Sequence, residues 1–67
     1  MTRTERIENA IVKYEKEIKA KEKQLKKYEK EQLVEFAKSN NVSYQNKRVS
    51  WLRYDLAVKL VTGYTIG

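Results

Sequence analysis

Apolar residues enter this chain at Ile7, Ile11, Tyr14, Ile18, Leu25 and Tyr28, with charged or amide residues filling most positions between. The gaps follow the four-three alternation of a helix heptad, and Lys21 and Gln32 occupy the two seam positions that lack an apolar side chain. Leu33, Phe36 and Ala37 continue an apolar face shifted by one position, which ends the seam and begins ordinary globular packing. No Gly or Pro interrupts this stretch, and Thr4 is placed to cap its start. Ser39-Asn40-Asn41 is a stop signal, because Asn tolerates the left-handed conformation that ends helices. The pattern predicts one long helix over residues 4–38.

A second helix is predicted over 46–62, with Ser43 or Asn46 as its cap and Gly63 just past its end. Val49, Leu52, Leu56 and Leu60 form one stripe, and Trp51, Tyr54, Val58 and Val61 form another. Only Arg48, Asp55 and Lys59 open a polar window, and a helix apolar on most sides is buried on most sides. Tyr64-Thr65-Ile66 is β-prone and reads as a short extended tail.

These elements describe an all-α fold, a single domain over 1–67 built as an antiparallel helical hairpin. At a rise of 1.5 Å per residue the first helix is about 52 Å long and the second about 25 Å. Folded back from Asn40, the second covers only the stretch from Ala20 to Lys38. Ile7, Ile11, Tyr14 and Ile18 are then left uncovered, as is the outer stripe of Trp51, Tyr54, Val58 and Val61. A contiguous apolar strip of that kind marks an interaction site for a protein partner or a second copy.

The charges sharpen this picture. KYEKE occurs at 13–17 and again at 27–31, two heptads apart. With Ile11, Ile18 and Leu25 as position a, the e positions are Glu8, Glu15, Glu22 and Glu29, and g includes Glu17 and Glu31. Glu would face Glu in either parallel or antiparallel self-pairing, which disfavours a homomeric coiled coil. The acidic edges instead match the basic second helix, with Lys47, Arg48, Arg53 and Lys59. Lys13, Lys16, Lys19, Lys23, Lys26, Lys27 and Lys30 fall on the outward face.

Sixty-seven residues bury a small core, and the chain has no Cys and no His to staple it with disulfides or zinc. A partner or self-association is the remaining aid. No residue constellation meets the geometry of catalysis, so no enzyme activity, cofactor, metal or small-molecule substrate is expected. No apolar run reaches the roughly 18 residues of a membrane span, and no export signal is evident. The expectation is therefore a cytoplasmic protein with no membrane contact. The net charge of +6 favours proximity to nucleic acid, with Lys23, Lys26, Lys27, Lys30, Lys47, Arg48 and Arg53 as the candidate contacts.

The stretch LVEFAKSNNVSYQNKRVSWLR resembles a helix-turn-helix, through Ala37, the turn at Asn40-Asn41-Val42-Ser43, and Val49-Ser50-Trp51-Leu52. The resemblance implies that Tyr44, Gln45, Asn46, Lys47 and Arg48 read bases from the start of the second helix. Lys47 stands where that family has an apolar residue, and Asn41 where it usually has Gly. In size and composition the chain also resembles the small accessory proteins of phages, plasmids and chromosomal cassettes of AT-rich bacteria. That resemblance implies a subunit or modulator of a replication, recombination or defence system. A direct DNA-binding regulator and a structural homo-oligomeric bundle are the alternative readings.

Overall fold

A computed structural model describes residues 2–65 and is all-α, with four helices: α1 (Arg3–Lys13), α2 (Glu15–Leu25), α3 (Lys30–Ser39) and α4 (Val49–Thr62). The expected uninterrupted helix over 4–38 is thus three helices. Its greatest dimension confirms the folding, since the molecule spans 35 × 22 × 18 Å and has no room for a 52 Å rod.

The first interruption is a kink. Tyr14 leaves helical geometry at φ −108°, ψ 25°, yet its N–H still donates to Ala10 O and its carbonyl still accepts from Ile18 N–H, both at 2.9 Å. The axis bends while the ladder continues on both sides, and α1 and α2 both reach α4. The second interruption is a true break at Lys26–Glu29. Glu29 adopts extended geometry (φ −80°, ψ 166°), and its N–H donates to Gln32 Oε1 at 3.0 Å, a reciprocal cap that starts α3 afresh. Tyr28 then packs edge-on against Phe36, with ring centroids 4.9 Å apart. Both copies of KYEKE therefore lie across helix junctions.

α3 ends as a Schellman motif. Val42 N–H donates to Ala37 O at 2.8 Å, Asn41 N–H to Lys38 O at 3.4 Å, and Asn41 takes the left-handed conformation at φ 57°. Val42 and Ala37, which the motif brings together, are both buried in the core. The opening cap of α1 is Thr2, whose hydroxyl accepts from Glu5 N–H at 3.2 Å, rather than Thr4. α4 begins at Val49, three residues later than expected, and neither Ser43 nor Asn46 caps it; Arg48 is the N-cap residue, without a side-chain bond. Gly63 ends α4 at φ 82°, as its place in the sequence implies. In the expected extended tail, Tyr64 N–H turns back to Thr62 Oγ1 at 3.1 Å, and Ile66 lies outside the described residues.

α4 is the central helix and packs on each of the other three. Leu52, Leu56, Ala57 and Val58 are buried around its middle turns, against Ile18 and Leu25 of α2, Leu33 and Ala37 of α3, and Val42. Each large side chain buried this way contributes about 1.5–3 kcal/mol. A helix contacted by three others explains why α4 carries so narrow a polar window. The hairpin of two helices is corrected to a bundle because one partner helix cannot cover it.

Candidate protein-docking face

Trp51 and Tyr54 lie three residues apart on α4 and so project on adjacent sides of its first turns. Their rings meet edge-to-face, with centroids 6.0 Å apart and planes at 87°. Tyr54 is half-buried, whereas Trp51 remains 58% exposed, an unusual state for the chain's only tryptophan. The ring pair separates two hollows. One, of about 340 Å³, is lined by Ser50, Trp51 and Tyr54. The other, of about 280 Å³, is lined by Ile11, Val12, Glu15, Ile18, Lys19, Glu22 and Tyr54. Tyr54 borders both, so the two adjoin at its ring as a divided apolar groove across α4, α1 and α2.

The kink at Tyr14 shapes this groove, because it falls between Val12 of α1 and Glu15 of α2 on the same wall. Val12 is 74% exposed, the most open of the large apolar side chains. Glu15 and Glu22 supply the edge. Glu15 is held by Lys19 at 3.1 Å across one helical turn, while Glu22 is half-buried and forms no salt bridge among the described residues. The Tyr54 phenol is pushed above its ordinary pKa of 10.0, first by burial and then by the charges of Glu22, Asp55 and Glu15.

The residues expected to bind a partner divide into four groups. Ile11, Trp51 and Tyr54 line the groove, and Ile7 and Val61 are half-buried. Tyr14 is 36% exposed at the kink and lines a different hollow, with Arg6, Asn9, Ala10, Lys13, Thr62 and Tyr64. Ile18 and Val58 correct the expectation of an open strip: they are 2% and 0% exposed, although Ile18 still borders the hollow beside Ile11 and Val12. They are covered because α4 lies across α2, further toward the N-terminus than a fold-back over Ala20–Lys38 allows. Val12 was outside the expected set because it stands off the heptad seam. The adjacent apolar pair Ile11-Val12 was its signal in the sequence.

The basic candidates also separate. Lys47 is half-buried and forms an ion pair with Asp55, whose side chain is buried in the core. Tyr44, Gln45, Asn46, Lys47 and Arg48 all precede α4, in an irregular connection from Asn40 to Arg48, instead of opening a recognition helix. Arg48 is exposed. Arg53 is half-buried, and its Nε is buried without a hydrogen-bond partner. Lys23, Lys26, Lys27 and Lys30 are exposed, and Lys27 sits 5.2 Å over the Tyr28 ring. Lys16 and Lys23 lie opposite Ile18 and Leu25 on α2, so helical spacing sets these lysines away from the core, while Lys19 stands at the edge of the hollow beside Ile11 and Val12.

Among the described residues no group of three or more acidic, His or Cys side chains could hold a metal ion. No helix among them is long and apolar enough to cross a membrane. No protein-family model matches the chain, and comparisons with curated proteins and with solved structures return no match.

Proposed function

We propose that this chain is a small non-enzymatic accessory protein. It docks on a protein partner through the groove at Trp51, Tyr54, Ile11 and Val12, and turns its lysine face toward nucleic acid. In this reading it serves as a subunit or modulator of a DNA-processing assembly. The observation that carries it is the exposure of Trp51 and Val12 beside a preformed apolar groove. Leaving such side chains in water forgoes about 25 cal/mol for every Å² they could bury, and aromatic anchors of this kind dominate protein interfaces. Supporting the second half, Lys16, Lys23, Lys26, Lys27 and Lys30 are all exposed, a distribution suited to phosphate contact without base reading.

The two surfaces are separable by mutation. Tagged wild type recovered from its own cells is expected to carry one protein in fixed stoichiometry together with nucleic acid. Trp51→Ser with Val12→Asp releases the protein and keeps the nucleic acid. Lys16→Glu with Lys23→Glu does the reverse. Loss of both ligands from each variant, or of neither, contradicts the division.

A further inference from the structure

Lys21 occupies a heptad seam position that an apolar side chain would ordinarily fill, and it is half-buried there. Its ammonium donates to Gln24 Oε1 at 3.3 Å and forms no salt bridge among the described residues, not even with Glu17 one turn earlier. A cation that has given up part of its water for a neutral partner gains from an anion brought alongside. Lys21 lines a hollow of about 260 Å³ beside the break that ends α2. Leu25, Tyr28, Phe36 and Leu60 supply its apolar wall, and Leu60 is 46% exposed. Lys27 is its second cation. No carboxylate lines it among the described residues, and Glu29 and Glu31, next along the chain, stay outside it. Gln24 and Asn40 complete the lining, and Asn40 Nδ2 donates to Phe36 O at 2.8 Å, so each amide is anchored by a hydrogen bond.

We infer that this hollow receives one unpaired base of a single-stranded nucleic acid, with Lys21 and Lys27 meeting the flanking phosphates. The inference rests on the lysine face being a nucleic-acid surface and adds a base contact to it. An apolar wall that includes aromatic rings accepts the flat face of any base. Gln and Asn are the side chains that pair most readily with base edges. Cations unaccompanied by carboxylates suit the phosphates on either side. The volume falls just below the range of about 300–1,000 Å³ typical of small-molecule sites, which suits a single base. Lys26 and Lys30 are exposed on either side of the break, so a strand leading to the hollow has further cations to follow.

The test compares two labelled DNA single strands of equal length and charge, one intact and one abasic throughout. Affinity for the full chain is measured by fluorescence anisotropy at one salt concentration, because phosphate contacts weaken with salt. The intact strand is expected to bind about five-fold tighter or more. Leu60→Ser with Gln24→Ala, exchanges at two exposed positions, should remove most of that difference and leave the abasic strand unchanged. Gln24→Ala alone, which favours the helix, should already reduce it, and circular dichroism confirms that both variants fold. Lys21→Gln should weaken both strands. Equal affinity for the two strands, or a difference that both variants keep, overturns the inference while leaving the lysine face as a phosphate surface. No binding of either strand removes both.

Discussion

Asp55 lies in the middle of the most buried stretch of the chain, 3% exposed between Tyr54 and Leu56, and Lys47 reaches it from the connection before α4. The pair staples an irregular segment onto the central helix. Removing one member leaves the other without compensation. Lys47→Met, which strands the buried carboxylate, is expected to cost about 3 kcal/mol or more, a large part of what so small a domain holds. Lys47→Met with Asp55→Leu should recover most of the loss, and urea denaturation followed by circular dichroism measures both. Tyr54 carries the other titration. Its folded pKa lies above the unfolded value of 10.0, so its contribution is intact below pH 10 and is lost as pH rises through the folded value. Absorbance titration should show one tyrosine ionising later than the others. Tyr54→Phe should remove part of the alkaline loss of stability.

The helices show what local sequence specifies and what packing decides. The end of α3 was legible, since Asn40-Asn41 before an apolar Val42 encodes a left-handed cap, and Asn41 takes φ 57°. Asn41→Ala should therefore cost about 1 kcal/mol, while Asn41→Gly is expected to hold or raise the melting temperature. Gly63 was legible for the same reason. The break at Lys26–Glu29 left a fainter trace, in the one-position shift of the apolar face at Leu33 and the Glu29–Gln32 spacing ahead of it. Lysine and glutamate favour helix almost equally everywhere, so propensity gave no hint that the chain turns there. What turns it is tertiary: Tyr28 packs on Phe36, and α3 covers a side of α4 that a straight helix leaves in water. Gln32→Ala, which removes the side-chain acceptor for Glu29 N–H, should destabilise the fold by about 0.5–2 kcal/mol.

Across the molecule, the four helices divide one small surface into unlike regions. The apolar groove lies where α1, α2 and α4 meet, Glu15, Lys19 and Glu22 run along its margin, and Lys16 and Lys23 of α2 face away from the core. The heptad of the first helix and the outer stripe of the second identified Ile11, Trp51 and Tyr54 as candidates but counted Ile18 and Val58 with them, because the expected fold-back placed α4 over the wrong stretch of the long helix. The heptad passed over Val12 for want of a seam position. The direction of a helix face was readable, and the crossing of two helices in space was not. The docking role of the groove is tested most directly by site-specific photo-cross-linking in cells, with a photoreactive side chain placed singly at Val12, Trp51, Lys30 or Glu35. The proposed function predicts one discrete protein adduct from positions 12 and 51, abolished by a second substitution of Ile11→Asp in the groove, and none from 30 or 35. Equal labelling from all four positions, or none from 12 and 51, contradicts it.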